Sequence, residues 1–244
     1  MQEKTRAIVI RTIKYGDSSI IVDLFTENRG MVSFLIRQSA GNGNRRSGKK
    51  HLLFQPLTVL SIDYDFRAKA SLQKLKDVAL YFPFYSVLSN PLKSAVFLFL
   101  SDFLYHVLRE EPANVPLFEY LVASLEWFDQ CNQGYANFHL LFLMRLTRFL
   151  GFYPCVEEYH PGDYFDLQNA CFTPLQPLHA AFLKPVEAAR VPLMLRMSYD
   201  TMNRFLFSRQ ERNRFLTVLN DYYRLHIPNF PELSSIEILK EVFD

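Results

Sequence analysis

Four cationic side chains lie within six positions of a stretch that has no acidic residue. The stretch is 38–51, and its cations are Arg45, Arg46, Lys49 and Lys50. Its glycines and asparagines accept positive φ, which predicts a loop. A cationic loop on a β scaffold is a typical contact for nucleic-acid phosphates. The alternative is a solvated surface loop with incidental charge, and the loop by itself does not decide between the two.

The charge of the chain is divided unequally along its length. Residues 1–80 carry 14 Lys and Arg against 7 Asp and Glu, a net charge of +7, whereas residues 81–244 carry 13 against 18, a net charge of −5. This asymmetry favours two units, with the N-terminal one facing an anion. The hydrophobic content of 49% argues against a disordered chain.

No catalytic motif appears in the 244 residues. The nucleophile elbow, the Walker A loop, the dinucleotide-binding glycine pattern and the zinc-protease motif are all absent from the sequence. Two acidic pairs, Glu110 with Glu111 and Glu157 with Glu158, are more typical of solvated turns than of catalytic sites. We therefore expect a protein that is not an enzyme.

The three cysteines are far apart, which fits a reducing compartment better than a disulfide framework. Two of them, Cys155 and Cys171, lie with His160 and His179 in a proline-rich segment where a structural zinc ion could replace a missing core. Their spacing lacks a Cys-x-x-Cys knuckle. We therefore predict no metal and no other cofactor, and interpret these residues as small apolar side chains and surface histidines.

Residues 1–80 have the alternation and the turn signals of a small β-barrel. Strand patterns cover 5–13, 19–26, 31–37, 53–64 and 71–80. Five short strands of this kind are typical of the oligonucleotide-binding (OB) fold, and an SH3-like barrel is the alternative. Aromatic side chains in its loops could stack on bases, and Tyr15 and Phe66 are the candidates.

From residue 81 the apolar period becomes that of helices. Asn90 and Pro91 predict a helix start, and further helices follow at 116–130 and 135–150. The apolar stretch 92–108 is interrupted by charged residues, so we expect no membrane span. The predicted fold is α+β: an OB-fold β-barrel over 1–80, then a mostly α-helical domain over 81–244 with an irregular, proline-rich insert at 152–192.

Several segments resemble, in order and in spacing, the bacterial RecO proteins. They are 7–18, 21–27, 30–33, 54–57 and 145–154, the last reading Arg-Leu-Thr-Arg-Phe-Leu-Gly-Phe-Tyr-Pro. The resemblance implies an N-terminal OB fold, a helical domain and a non-enzymatic role in DNA repair. It also implies binding of single- and double-stranded DNA, strand annealing, and cooperation with RecR in loading RecA onto DNA coated by the single-stranded DNA-binding protein SSB.

The resemblance further implies that the chain engages the acidic C-terminal tail of SSB. Many RecO proteins carry two Cys-x-x-Cys pairs that form a zinc site in the insert. Here Cys155 and Cys171 stand alone where those pairs would be, so we predict a metal-free remnant.

The predicted DNA-binding surface consists of cations in the N-terminal unit. Its members are Arg11, Lys14, Arg37, Arg45, Arg46, Lys49, Lys50, Arg67 and Lys69. Strand residues contribute only if their side chains face the groove, a condition that applies to Arg6, Arg11 and Arg37. Such a surface neutralises phosphates, releases counterions and screens the repulsion between two strands brought together.

A site for an acidic, apolar tail needs arginines with apolar walls. The candidates are Arg145 and Arg148 on one predicted helix, and the cluster of Arg204, Arg209, Arg212 and Arg214. A solvated helix face is the alternative for both sets. A different class of protein also stays open, a helical protein-interaction adaptor that does not bind DNA. We expect a cytoplasmic, nucleoid-associated protein.

Overall fold

The computed structural model describes residues 2–37 and 53–242 of the chain. The predicted DNA contacts Arg45, Arg46, Lys49 and Lys50 therefore lie outside the described residues. The chain packs as two compact units, of which the first comprises 1–130 with 233–244 and the second comprises 131–232. This grouping places the first helices with the strands. The division by secondary structure at residue 80 stays a prediction.

Five strands open the first unit, namely β1 (Gln2–Tyr15), β2 (Ser19–Thr26), β3 (Gly30–Arg37), β4 (Val59–Asp65) and β5 (Leu75–Phe82). They form one antiparallel sheet in the order β3-β2-β1-β4-β5. The sheet curls until β3 meets the segment before β5, where the Leu35 N–H donates to the Gln73 carbonyl oxygen at 3.0 Å. The result is an open, OB-like barrel, and the predicted fold is confirmed.

The barrel is filled by the side chains that alternate inward along its strands. Ala7, Val9, Val22, Phe34 and Leu60 are fully buried members of this core. The ring of Phe34 meets that of Tyr64 edge to face at 5.1 Å, a favourable aromatic geometry.

The predicted strand 53–64 is correct only in its second part, because β4 begins at Val59. Pro56 has no N–H to donate to a ladder. Leu57 has a positive φ of 61°, which no regular strand accommodates, and its N–H donates to the Val9 carbonyl oxygen at 2.7 Å. The segment before Val59 is therefore a turn that closes onto β1.

Three helices follow in the first unit: α1 (Ser86–Ser89), α2 (Pro91–Leu108) and α3 (Val115–Gln130). Asn90 caps α2 by accepting from the N–H groups of Leu92 and Lys93, and Pro91 occupies the first turn, as the sequence predicts. Phe118 of α3 stacks on Phe25 of β2 with ring centroids 6.2 Å apart. The helices thus cover part of the outer surface of the barrel.

The second unit contains α4 (Phe138–Phe149), β6 (Tyr164–Asp166), β7 (Cys171–Thr173), β8 (Phe182–Leu183), α5 (Pro185–Ala188), α6 (Arg190–Arg196), a 3-10 turn (Met202–Arg204) and α7 (Arg209–His226). The three short strands form a sheet in the order β7-β6-β8 within the proline-rich insert. A capping box of Ser208 and Glu211 begins α7, as predicted. The last helix, α8 (Ser234–Val242), belongs to the first unit.

By length and composition, α2 could cross a membrane, with 18 residues and a mean hydropathy of 1.2. However, 56% of that window is buried inside the protein, as in the core helix of a folded unit. Its Lys93 is 1% exposed. The Lys93 Nζ donates to the carbonyl oxygens of Phe128 at 2.7 Å and Asp129 at 3.0 Å, so this lysine satisfies carbonyl groups at the end of α3.

Candidate nucleic-acid interface

The pairing of β1, β2 and β3 decides which side chains point out of the barrel. Val22 and Phe34 are paired and belong to the core. Side chains alternate along a strand, so the neighbouring pairs Ile21–Leu35 and Asp23–Ser33 face outward. On β1 a bulge lies between Val9 and Arg11. Because the bulge inserts one residue, Arg11 faces outward although Val9 faces the core.

Three rows of outward-facing residues result, each crossing β1, β2 and β3 in that order. The rows are Arg11–Asp23–Ser33, Ile13–Ile21–Leu35 and Tyr15–Ser19–Arg37. The middle row is apolar, and the rows on either side supply one arginine each. We call these nine residues the outer stripe.

The outer stripe remains accessible in the described structure. Ile13 is 37% exposed and Tyr15 is 55% exposed. By contrast, Ile8 and Phe25, which face outward on the other side of the bulge, are fully buried. Phe25 is covered by the stacked ring of Phe118. The apolar row thus lies on the part of the barrel surface that α3 leaves open.

The cations of the outer stripe have different settings. Arg11 is exposed, and its guanidinium carbon lies 4.6 Å from the centroid of the Tyr105 ring, a cation–π distance. Arg37 is exposed at the end of β3. Lys14 is also exposed, but it pairs with the core residue Ile20 and therefore stands at the mouth of the barrel, beside the stripe.

Two other predicted contacts lie at the opposite end of the barrel. Arg67 and Lys69 are exposed in the connection after β4, whose last residue, Asp65, pairs with Gln2 at the start of β1. The connection also returns to the barrel wall, because the Arg67 N–H donates to the Gln73 side chain at 2.9 Å and the Gln73 backbone pairs with Ser33 and Leu35 of β3. The structure thus places Arg11 and Lys14 in the second half of β1, Arg37 at the end of β3, and Arg67 and Lys69 in the connection after β4.

The basic segment is connected to the same end as the outer stripe. It follows Arg37 directly in the chain, and after it Phe54 returns to β1, where its carbonyl oxygen accepts a hydrogen bond from the Thr12 hydroxyl at 2.9 Å. Both described flanks of the segment therefore lie at the end of the barrel that carries Lys14 and Arg37.

Arg6 points outward on β1 and is paired with two carboxylates of the first unit. Its guanidinium forms ion pairs with Glu27 at 2.7 Å and with Glu119. Glu27 in particular raises the pKa of this guanidinium. Its charge is compensated within the unit, so Arg6 is a structural residue of the first unit.

A buried carboxylate closes the far end of the barrel. Glu3 faces the interior and accepts hydrogen bonds from the Arg29 Nε at 2.8 Å and from the Tyr64 hydroxyl at 3.0 Å. The Arg29 guanidinium holds the pKa of Glu3 below its ordinary value. Arg29 also lies 3.7 Å over the Phe66 ring, so this predicted stacking residue already has a cationic partner.

The arginines proposed for tail binding divide into engaged and exposed ones. The guanidinium of Arg145 donates to the Met197 carbonyl oxygen at 2.8 Å, and that of Arg212 donates to the Phe207 carbonyl oxygen at 2.6 Å. Both therefore stabilise turns within the second unit. Arg148, by contrast, is exposed at the end of α4, as is Arg204 in the 3-10 turn.

The second unit also contains a cleft that the sequence did not indicate as a site. The cleft has a volume of about 490 Å³ and lies between β8 and α7. Its lining combines apolar side chains, among them Leu183, Val218 and Leu225, with two arginines, Arg214 and Arg224, and one carboxylate, Asp221. Arg214, Val218 and Leu225 recur on α7 at helical spacing, a signal that could have identified this face.

The cysteines and histidines of the insert do not assemble into a metal cluster within the described ranges. No group of three or more His, Cys, Asp or Glu there could hold an ion. His179 instead lies 3.2 Å from the Asp166 carboxylate, and burial raises the pKa of the Cys171 thiol. The absence of a cofactor stays a prediction.

Taken together, the described fold is an OB-like barrel with an accessible cationic and apolar stripe, joined in the chain to a helical unit. Residues 1–84 match the family described as Recombination protein O N terminal, and residues 88–235 match Recombination protein O C terminal. The chain belongs to the RecO family, and the resemblance seen in the sequence is confirmed.

Individual relatives support the same family over the whole length. The chain is 48% identical to the DNA repair protein RecO of Phocaeicola vulgatus over 243 residues, and 47% identical to that of Bacteroides fragilis over 245 residues. In both comparisons all of each chain is covered. The DNA repair protein RecO of Flavobacterium psychrophilum is 35% identical over 244 residues, again with complete coverage.

Proposed function

We propose that this chain is a non-enzymatic recombination mediator that binds single- and double-stranded DNA on the outer stripe of its OB-like barrel. In this role it anneals complementary strands and, with RecR, helps to load RecA onto strands coated by SSB. It acts in the cytoplasm, in association with the nucleoid. The observation that carries the proposal is the accessible apolar row Ile13–Ile21–Leu35 between the cations Arg11 and Arg37.

The stripe has the two features that sequence-tolerant binding of a single strand requires. Ile13 and Tyr15 offer apolar and aromatic surface for bases, while Arg11, Lys14 and Arg37 offer charge for phosphates. The described residues that flank the segment carrying Arg45, Arg46, Lys49 and Lys50 lie at this end of the barrel, and we assign the segment to the same phosphate contacts. Arg67 and Lys69, at the far end, are proposed as contacts for a longer or a second strand.

Annealing follows from the same electrostatics. Two complementary strands repel each other through their phosphates, and a cationic surface that replaces condensed counterions reduces this repulsion. Because the contacts proposed for the outer stripe are mainly to the backbone, the stripe by itself holds strands without selecting a sequence. The bases remain able to search for a complementary partner.

The test is a salt titration of binding to a fluorescent oligothymidylate of about 15 nucleotides. The logarithm of affinity should fall linearly with that of the salt concentration, by about 0.7 per phosphate contact. Replacing Arg11, Lys14 and Arg37 with Ala should therefore make the slope less steep by about 2. Lys76→Ala is the matched control, because Lys76 is exposed on β5 beside Asp65 and lies away from the outer stripe.

Two outcomes would contradict the proposal. If the wild-type protein shows no salt-sensitive binding to single or double strands, the chain is better explained as a protein-interaction adaptor. If the triple variant and Lys76→Ala change the slope equally, the binding is not located on the stripe.

For the acidic tail of SSB we propose the cleft between β8 and α7. Its apolar wall of Leu183, Val218 and Leu225 can take apolar side chains, while Arg224 and Arg214 can pair with carboxylates. Arg214 is already paired with Glu187 at 2.6 Å, so Arg224 is the stronger candidate.

A peptide of the SSB tail should bind the wild-type protein measurably more tightly than it binds Arg224→Ala. Arg148 and Arg204, the two exposed arginines among those that the sequence analysis proposed for the tail, supply the comparison variants. Loss of binding in Arg148→Ala with no effect of Arg224→Ala would move the site to α4.

A further inference from the structure

A cleft of about 370 Å³ opens between the bulge of β1 and α2. Its lining includes Arg11 of the outer stripe and, from α2, Leu98, Asp102 and Tyr105. The last two residues are three positions apart on the helix and so share a face. Leu98 is 60% exposed, which leaves an apolar rim at the entrance.

The cleft presents a flat cation that is fixed from behind. The guanidinium carbon of Arg11 lies 4.6 Å from the centroid of the Tyr105 ring, so the aromatic ring holds the guanidinium plane in place. Arg11 is exposed, so a second flat group can approach the guanidinium from solvent. Nucleobases stack on arginine planes in this manner.

A carboxylate stands in the same cleft. The Oδ2 of Asp102 accepts a hydrogen bond from the Ser235 hydroxyl at 2.6 Å, and the Asp102 side chain is 41% exposed. The His106 Nε2 lies 3.8 Å from the other Asp102 oxygen, Oδ1, and burial lowers the pKa of His106. One cation and one anion make the cleft nearly neutral, which favours an uncharged base over a phosphate.

We propose that this cleft binds one unstacked base of a single strand lying on the outer stripe, and that it prefers guanine. A carboxylate accepts hydrogen bonds but donates none. Guanine alone among the DNA bases presents two adjacent donors, N1–H and the 2-amino group, to one carboxylate, and a bidentate pair discriminates between bases. The proposal rests on the proposed DNA binding and adds base preference to it.

In this arrangement Arg11 stacks on the base, Asp102 accepts from its Watson–Crick edge, and Tyr105 is a positioning residue that acts through Arg11. The base must leave the stack of its own strand to enter, which costs least in single-stranded DNA. The preference should therefore be seen with single strands and not with duplexes.

The test compares an oligothymidylate with the same strand carrying one central guanine, both fluorescently labelled, by anisotropy with the full chain. The wild-type protein should bind the guanine strand at least about fivefold more tightly. Replacing that guanine with hypoxanthine, which lacks the 2-amino group, should remove most of the difference. This comparison uses only the wild-type protein and so does not depend on the folding of a variant.

Two variants distinguish base recognition from charge alone. Asp102→Asn should abolish the guanine preference while oligothymidylate binding stays within about twofold, since Asn can still accept from Ser235. Arg11→Lys keeps the charge but loses the plane, so binding of the guanine strand should weaken about fivefold with an unchanged salt slope. Tyr105→Leu should have the effect of Arg11→Lys.

Several results would overturn the inference. Salt-sensitive binding with no guanine preference would leave the proposed function intact and refute the base-binding cleft. A preference that survives Asp102→Asn, or an Arg11→Lys variant that binds the guanine strand as the wild type does, would also refute it. Absence of binding to both strands would overturn the proposed function as well.

Discussion

Acid should destabilise the second unit through a single buried histidine. His139 lies on α4 and is 3% exposed. Burial, assisted by the positive charge of Arg212, lowers the pKa of His139 to about 3 from an ordinary 6.5. The folded chain therefore keeps this imidazole neutral at a pH where the unfolded chain protonates it.

The sign and size of the effect follow from that difference. Between its two pKa values the unfolded state binds the proton and the folded state does not, so the stability contributed by neutral His139 is complete above pH 6.5 and is lost as the pH falls. Each pH unit in this window costs about 1.4 kcal/mol. From pH 6.5 to about pH 4.5 the loss from this one residue is therefore roughly 2 to 3 kcal/mol.

The measurement is urea unfolding of the full chain, followed by far-ultraviolet circular dichroism at a series of pH values. Carboxylates also titrate in acid, so the informative quantity is the difference between the wild type and His139→Gln, which cannot titrate. This difference should shrink by roughly 2 to 3 kcal/mol on acidification. The control is His160→Gln, because the His160 side chain is 81% exposed. If the wild type and His139→Gln lose stability in parallel, the reasoning about burial is wrong.

Three further substitutions test the first unit by urea unfolding. Lys93→Met should lower the free energy of unfolding by about 3 kcal/mol, because it removes the charged donor to the buried carbonyl oxygens of Phe128 and Asp129; a loss no larger than that of Lys76→Met would contradict this. Gly30→Ala should cost roughly 2 kcal/mol or more, since φ is +70° and the new Cβ would lie 2.5 Å from the Glu111 carbonyl oxygen; an unchanged midpoint would refute it. Glu3→Gln should cost about 2 kcal/mol at pH 7 through the lost Arg29 pair, and the difference from wild type should diminish as the pH falls and Glu3 is protonated; a difference independent of pH would show that the pair contributes nothing.

Much of the fold was available from local pattern. The turn at 27–30 and the strand before it have the alternation and the glycine that a hairpin needs, and β2 spans Ser19–Thr26 as predicted. Helix starts that depend on a capping side chain were predicted equally well, as the Asn90 cap of α2 shows. The exception is the segment before Val59, which has the apolar pattern of a strand but does not form one. The fixed ring of Pro56 and the positive φ of Leu57 break the ladder.

The candidate site was harder to predict from the sequence, because the sequence shows which residues are charged but not which residues they contact. Arg6 and Arg37 have the same side chain on strands of one sheet, yet Arg6 is neutralised by Glu119, which lies 113 positions along the chain. Arg212 likewise binds a carbonyl group of its own unit. Such pairings depend on tertiary contacts. Sequence patterns therefore overestimate the number of arginines that have no partner within the protein.

The bulge in β1 shows why the alternation of residues in the sequence could not predict which side chains of the site face outward. Ala7 and Val9 face the core, and strict alternation would place Arg11, Ile13 and Tyr15 inside the barrel with them. One inserted residue between Val9 and Arg11 reverses the facing of the rest of the strand. The same insertion brings Arg11 over the Tyr105 ring and the apolar row to the surface. Both the outer stripe and the cleft proposed to bind a base therefore depend on a single irregularity in the backbone. The types of the individual side chains do not predict that irregularity.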